Sequence, residues 1–569
     1  MFDWRKNNFH YQVEQYGELN AVIALKKELH GLIDIKKSFH PVHIDNLSKE
    51  ERKGIAGIQA LFNIKPKDDE TLFDLKARVV VKGNEQDPSQ FDKIEDIQSP
   101  TVQVTTIFLN LVTAAMYGKA LVTIDLPQAF LNAEQDRLQY AKFPKILSRF
   151  ICVFWPEYKD FLRPDGTIIV QLDKALYGQI QAPRLFNKLL VKLLLSKGYK
   201  QNPIDLGMFS KVVIDVNANT DKVCILQNTV TICTHVDDLK GGVPSQYVHK
   251  YIEEMQEIFG DDITISTNLG IDGKPQSLKE VVYLGMVLSC DYEEGVGLVN
   301  PKRYFNKKLP KYDDIIQGKA KRVPSKADFL KIDENSPKLI GEELDRFKKM
   351  IYELRYPVFM ADEILFHAAW FVRRISVGLT EQDKEKLIHF IRYIYGRREL
   401  PKILGPNKNG EIELSCFSDA NHDLESYSST VISPGRGVLS SHCHRQKEKQ
   451  IASTHHEIVA ASESVTHGLH AQHLCESMEF PESWYKPCKF YEDNYAVILL
   501  MKNGRSTNSK SKHIHMRHFF MKQYFYNGPF ELIHCITDKM VADINTKPKV
   551  GEAFLFLRDL ILGYEYIYE

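Results

Sequence analysis

Two adjacent carboxylates, Asp237 and Asp238, stand at the end of an apolar, β-branched run from Thr229 to Thr234, and Leu239-Lys240-Gly241-Gly242-Val243 leads away from them. The pattern predicts a strand, a tight turn and a returning strand. Like charges at about 4 Å repel by roughly 1 kcal/mol in water and about 4 kcal/mol at a semi-buried effective dielectric, so an enclosed pair needs a cation. Hard carboxylate oxygens suit Mg²⁺ or Mn²⁺. A second apolar run, Ala120 to Ile124, ends in Asp125 and continues to Phe130. Three carboxylates at neighbouring strand ends can hold the two ions that bridge an attacking hydroxyl and a triphosphate.

A second acidic constellation begins at Glu411. The stretch from Glu411 to Asp419 alternates as a strand, Ser453-Thr454-His455-His456-Glu457 opens a helix, Lys489 to Asp493 ends another strand, and Val541-Ala542-Asp543 lies on a late helix. Four carboxylates from separate elements could ligate two further ions. Histidines cluster at positions 442, 444, 455, 456, 467, 470 and 473. No Cys-x-x-Cys or His-Glu-x-x-His pattern accompanies them, so solvent-facing helix histidines are expected rather than a zinc site.

The elements that must position these groups are those of an ordinary globular chain. With 569 residues, 43% hydrophobic and 26% charged, it has enough apolar chain for about two to four domains and is neither disordered nor a membrane protein. The N-terminus lacks the apolar core of a signal peptide, and no apolar run approaches bilayer-spanning length. Nine cysteines spread singly from Cys152 to Cys535 fit a reducing compartment and argue against a disulfide framework. Lys plus Arg and Asp plus Glu both total 74, so a polyanionic partner must be held by local patches. One runs from Pro301 to Lys326 and includes Lys307 and Lys308; the other, Asn494 to Phe530, contains no acid and includes Lys512. Helical patterning marks Ala21 to Leu29, Leu185 to Leu195 and Val248 to Phe259, while Lys76 to Val81 and Tyr283 to Leu288 read as strands.

Five motifs in one order carry a resemblance: Lys76-Ala77-Arg78-Val79-Val80, Asp125-x₄-Phe130-Leu131, Leu176-Tyr177-Gly178-Gln179-Ile180-Gln181-Ala182-Pro183-Arg184, His235-Val236-Asp237-Asp238 and Tyr283-Leu284-Gly285. Together they closely resemble the reverse transcriptase of copia-type LTR retrotransposons. The chain departs from the family pattern at His235, where Tyr is usual, and at Gln179-Ile180, where Leu-Lys is usual. By that resemblance Asp125, Asp237 and Asp238 are polymerase metal ligands, and Lys76, Arg78, Phe130 and Gln181 face the nucleotide. Arg78 suits phosphate oxygens because its planar fork bonds them bidentately. Phe130 matches the position whose ring leaves no room for a 2′ hydroxyl. Tyr283 and Gly285 match the primer grip, and Lys307 and Lys308 fall in the thumb. The later stretches, with Lys512, His513 and Ala542-Asp543-Ile544-Asn545-Thr546-Lys547-Pro548, resemble the copia-type ribonuclease H, which makes Asp419, Glu457, Asp493 and Asp543 its metal ligands. His455 stands where the family has a first Glu and is expected outside the metal shell.

The resemblance implies an α+β right-hand polymerase joined to an α/β ribonuclease H-like domain. Fingers and palm are expected over 1–255, primer grip and thumb over 256–335, a helical connection over 336–405 and the ribonuclease H domain over 406–569. The implied function is RNA- and DNA-templated DNA synthesis coupled to cleavage of the RNA strand of RNA–DNA hybrids. Two Mg²⁺ or Mn²⁺ ions per active site, an RNA template, a DNA primer, the hybrid and dNTPs are the implied cofactors and partners, with no membrane. Virus-like particles in the cytoplasm, or the nucleus, are the implied location. Two rival readings are a non-catalytic nucleic-acid-binding or structural subunit and a polymerase with a degenerate nuclease. All seven acids standing in place argues against the first.

Overall fold

The computed structural model describes residues 18–66, 73–91, 93, 97–216, 220–422, 426–446, 453–504 and 520–567. Among the described residues the chain forms four sheets. The first takes β1 (Phe39–Val42), β2 (Ala56–Pro66), β3 (Phe73–Val81), β5 (Tyr140–Phe143) and β6 (Ile168–Leu172), in the order β1-β6-β5-β2-β3. Between them in sequence, β4 (Ala120–Asp125) belongs to the second sheet, where it joins β7 (Lys200–Gln201), β8 (Met208–Val212), β9 (Thr229–His235), β10 (Asp238–Val243) and β11 (Thr264–Thr267) in the order β11-β4-β10-β9-β8-β7.

β4 reads as an unbroken apolar run because both of its faces are covered. Ala120, Val122 and Ile124 pack with Leu185, Phe186 and Leu190 of the helix Ala182–Ser196 and with Tyr251 and Met255 of the helix Val248–Phe259. Leu121 turns the other way, into a core with Ile107, Phe108 and Leu111 of the almost wholly buried helix Val104–Met116. A two-sided core selects continuous β-branched and aliphatic residues rather than alternation. Only Asp125, at the strand's end, is exposed.

The third sheet is β12 (Val281–Tyr283), β13 (Met286–Asp291), β14 (Val296–Asn300) and β15 (Lys402–Leu404). The stretch Tyr283 to Leu288, expected as one strand, is instead a hairpin: Tyr283 pairs with Met286 across Leu284-Gly285, whose φ values are +48° and +74°. Such positive values belong to the primed turns whose twist matches antiparallel strands, and glycine adopts them without cost. Five α-helices, Lys302–Lys308, Asp313–Ile316, Gly341–Arg355, Leu365–Val377 and Glu381–Arg397, separate β14 from β15. β15 then returns to pair with β14, so the segment expected to be purely helical ends in a strand of the preceding sheet.

The fourth sheet holds β16 (Ser415–Ala420), β17 (Tyr427–Ser433), β18 (Ser440–Arg445), β19 (Cys488–Glu492) and β20 (Phe530–His534). It is mixed: β16–β17 and β17–β18 are antiparallel, while β16–β19 and β19–β20 are parallel. β16 begins later than the sequence suggested and is buried at all six positions, not alternately. The helix Ser453–Ser477 covers one face, with Ile458, Ala461 and Val465 in the same core as Cys416 and Phe490. Val541–Asn545 is a 3-10 turn, not the expected helix. No helix among the described residues is long and apolar enough to cross a membrane.

Candidate active sites

The first site forms where β9 turns into β10. Asp238 opposes His235 within that hairpin and also opposes Asp125 of β4, which in turn opposes Thr264 of β11. Two residues, Val236 and Asp237, make the turn, and Val236 has φ +59°, a rare and costly value for a β-branched residue. The Asp237 carbonyl accepts from the Leu126 amide at 3.1 Å, tying the turn to the residue that follows Asp125. Burial and the facing Asp125 hold the Asp237 carboxyl above the usual range, against a downward pull from Arg78. Asp238 is pushed up to about 6 by burial and by Asp237 and Asp125. Carboxylates that raise one another's proton affinity in this way form a site that favours a cation. Burial also lowers His235, and Asp237 opposes that shift.

A wall stands beside these acids. Along β3, Leu75, Ala77 and Val79 point inward while Lys76 and Arg78 point outward. The Arg78 guanidinium lies 5.3 Å from the Tyr177 ring centroid, and Phe130, half-buried, meets the same ring edge-on at 5.2 Å and Phe186 at 6.1 Å. Sequence reasoning passed over Tyr177, although it stood inside a quoted motif. What brings it here is Gly178 at φ +86°: a Cβ there would lie 2.1 Å from the Val81 carbonyl, so only glycine lets this loop close on β3. The Tyr177 carbonyl accepts from the Val81 amide at 2.8 Å.

Gln181, expected at the nucleotide, is 0% exposed. Its side-chain oxygen accepts from Gln86 at 3.1 Å, its amide donates to Gln135 at 3.4 Å, and Gln86 also donates to Gln139 at 3.0 Å. Gln135 donates in turn to Gln179 at 2.8 Å, and Gln179 accepts the Leu176 amide at 2.6 Å. Gln181 therefore belongs to a network that braces the loop carrying Tyr177 rather than to the open face. Gln179, a departure from the family pattern, is part of the same brace.

Tyr283 is buried, and its hydroxyl donates to the Cys233 carbonyl on β9 at 3.1 Å, so the β12–β13 hairpin is pinned to β9. The Leu284 carbonyl next to Gly285 accepts from the Tyr356 hydroxyl. Lys307 is exposed, whereas Lys308 pairs with Glu353 at 3.0 Å, a partner that the local sequence does not reveal. Lys512 and His513 lie outside the described residues.

The second site is drawn together from three elements. Asp419 at the end of β16, Glu457 in the first turn of the helix Ser453–Ser477 and Asp493 just after β19 each offer an oxygen, all within 4.8 Å of one another. Among the described residues this is the one such metal-competent group; the side-chain oxygens of Asp125, Asp237 and Asp238 do not gather so tightly. Three hard oxygens at that spacing fit Mg²⁺ or Mn²⁺. Burial raises Asp419, and burial together with Asp419, Glu492 and Asp493 holds Glu457 well above its usual range. Asp543, expected as a fourth ligand, is 0% exposed and is paired with Lys547 and Lys549 instead. Glu492 is a fifth, fully buried carboxylate that sequence reasoning missed; burial first, then Asp493 and Asp419, push it far up, while a backbone bond from Asn494 at 3.2 Å pulls it down. Its signal was the Glu-Asp pair at a strand end, the same one that marks Asp237-Asp238.

The histidines are not uniformly solvent-facing. His455 and His456 are buried, and His456 bonds Gln446 at 2.7 Å. His442 stacks on His467 at 3.8 Å between centroids, and burial pushes it down to about 4. None belongs to a metal-competent group among the described residues.

Comparison with known proteins bears on both sites. Residues 44–289 match the family described as reverse transcriptase (RNA-dependent DNA polymerase). Over 521 residues the chain is 25% identical to the retrovirus-related Pol polyprotein from transposon RE1 and 24% identical to that from transposon RE2, both of Arabidopsis thaliana. It is 22% identical over 510 residues to the Pol polyprotein from transposon TNT 1-94 of Nicotiana tabacum. Each alignment covers 88% of this chain, which spans about a third of the relatives' own length (31%, 31% and 35%). Among solved structures, a foamy viral protease–reverse transcriptase in complex with double-stranded DNA aligns with a TM-score of 0.47 and 12% identity, covering 90% of this chain and 69% of that one.

Proposed function

Residues 44–289 are a reverse transcriptase domain related to those of copia-type retrotransposon Pol polyproteins, and on that premise we infer that the chain synthesises DNA on RNA and DNA templates and cleaves the RNA strand of the resulting hybrid. The observation that carries the first activity is the β4–β10 register, which sets Asp125 directly opposite Asp238 at the foot of a strained turn and beside Arg78, Tyr177 and Phe130. In this reading 1–255 is fingers and palm, 256–335 primer grip and thumb, with β11 joining the palm sheet from the latter, 336–405 the connection and 406–569 a ribonuclease H domain.

Asp125, Asp237 and Asp238 would hold the polymerase ions, and Asp419, Glu457 and Asp493 the nuclease site. Divalent ions bound there supply positive charge to phosphate oxygens and lower the pKa of an attacking hydroxyl or water. The chain's own groups do the rest. Arg78, with Lys76 two positions away on the same face of β3, receives the triphosphate oxygens of the dNTP. The Tyr177 ring, held between Arg78 and Phe130, makes a flat surface under the nucleotide, and Phe130 closes the space a 2′ hydroxyl would need. The β12–β13 hairpin offers main chain to the primer end, and Lys307 offers charge to the duplex backbone.

A primer-extension assay on a homopolymer template, with and without Mg²⁺, together with cleavage of a labelled RNA–DNA hybrid, tests both halves. Extension and cleavage that both need Mg²⁺ are expected. A second reading, a polymerase with an inactive nuclease, is favoured by one observation, the engagement of Asp543 with two lysines. Extension without any cleavage would select it, and neither activity in a folded chain would leave a nucleic-acid-binding subunit.

A further inference from the structure

The second acidic site is built unevenly. On one side, Asp419, Glu457 and Asp493 bring one oxygen each within 4.8 Å of the others. On the other, the carboxylate of Asp543 is enclosed, with one oxygen on the Lys547 ammonium and the other on the Lys549 ammonium. Two oxygens of the triad are themselves engaged. One Asp419 oxygen accepts the Thr546 hydroxyl, and one Glu457 oxygen accepts the Ala420 amide at 2.8 Å. Both lysine charges act on Asp419 as well as on Asp543. Two ammonium groups carry the charge of one divalent ion. They hold it by ion pairing, without the octahedral oxygen shell that Mg²⁺ demands.

We propose that this site takes a single divalent cation, held by Asp419, Glu457 and Asp493, and that Lys547 and Lys549, seated on Asp543, stand in the place of a second one. The inference rests on the nuclease reading above and changes its ion count. Asp543 is then a positioning residue for the two lysines rather than a metal ligand. The chain builds this locally: the 3-10 turn Val541–Asn545 buries Asp543, and Thr546, Lys547 and Lys549 follow at once, so one short segment supplies the acid, the cap on Asp419 and both cations.

The test counts ions rather than turnover. Mn²⁺ binding is measured by electron paramagnetic resonance of the free ion, on the full chain carrying Asp125→Asn, Asp237→Asn and Asp238→Asn so that the polymerase site does not contribute. One tightly bound Mn²⁺ is expected. Adding Asp493→Asn should remove it, and adding Lys547→Met with Lys549→Met, which keep the stems and drop the charges, should raise the count to two. Two ions with the lysines intact would overturn the proposal, as would a count that stays at one in the lysine variant. No ion in the triple-Asn background, unchanged by Asp493→Asn, would remove the nuclease metal site itself and with it both readings. Should the lysine variant fail to fold by circular dichroism, Lys547→Gln alone, at the more exposed of the two positions, replaces it, and the count in the background still decides between one ion and two.

Discussion

Phe130 is held from two sides, by the Tyr177 ring at 5.2 Å and the Phe186 ring at 6.1 Å, which fixes the ring that the proposed function sets against the sugar. Discrimination by such a ring comes from a clash and from a hydroxyl left without a partner, and shortening the side chain removes both. Phe130→Ala should raise the ratio of ribonucleotide to deoxyribonucleotide kcat/KM, by roughly 100-fold if about 2.8 kcal/mol of exclusion is relieved. Single-nucleotide extension with matched substrates measures the ratio, and an unchanged value in an active mutant would return Phe130 to a packing role. Asp238 gives a prediction of a different kind. Its carboxyl, raised to about 6, takes up a proton on folding, so it costs stability once ionised, and that cost appears as pH rises from the unfolded value near 4 through the folded one. Asp238→Asn cannot ionise. In chelator it should melt above the parent at pH 7.5, with the gap closing toward pH 4, while synthesis falls by at least about 10²-fold. Thermal melts across that range would reject the charge explanation if the gap did not change with pH. At His235 the structure shifts the expected behaviour: burial lowers the imidazole, so its charging moves to more acid pH than an exposed histidine would show.

The β9–β10 hairpin concentrates both strain and chemistry. A left-handed conformation costs a non-glycine residue roughly 1–2 kcal/mol, and Val236 at φ +59° carries it next to Asp237. Val236→Gly should therefore raise the denaturation midpoint, by about 1 kcal/mol of stability, without raising the rate of synthesis. A loss of stability would mean that the Val236 side chain contributes more by packing than the turn costs. A second element-level dependence lies at β15. Lys402 is fully buried, and its ammonium donates to Asp362, to the Phe359 carbonyl at 2.7 Å and to the Val438 carbonyl at 3.0 Å, joining three segments at one point. Lys402→Met would strand Asp362 as a buried charge, and such a change typically costs about 3–5 kcal/mol. Chemical denaturation should register that loss, and replacing Asp362 by Leu in the same chain should recover part of it. If the single variant were as stable as the parent, the ion pair would not be what joins these segments.

At the scale of the whole molecule the two candidate sites use different sheets but share a core. One apolar cluster runs from Ile107, Phe108 and Leu111 behind the first site to Cys416, Val465 and Phe490 behind the second, and Tyr117 stacks on Trp484 at 6.5 Å across the two halves. Chemistry should separate where packing does not. Asp237→Asn is expected to cost synthesis at least about 10²-fold and leave hybrid cleavage intact, and Asp493→Asn the reverse. If either abolished both activities in a folded chain, the assignment of two independent sites would fail.

What the sequence determined by itself was local. Apolar runs leading to acid marked β4 and β9 because a strand buried on both faces must be apolar until it leaves the core, and the Val248–Phe259 helix was legible because its period is set by neighbours three and four residues away. The order of motifs around Asp125, Asp237 and Asp238 was equally plain. Tertiary structure alone decided the rest, since each of those facts depends on a partner remote in the chain. Glu353 reaches Lys308 from 45 residues away and takes a charge that a local count had left for nucleic acid. Gln86, distant by 95 residues, draws Gln181 inward, and Gly178 closing on Val81 puts Tyr177 beside Arg78 and Phe130. Asp543 and its lysines are neighbours in sequence, yet the burial of the acid depends on the fold. Its carboxylate is enclosed with the Lys547 and Lys549 ammonium groups against it, a degree of burial that the spacing of acid and lysines does not reveal.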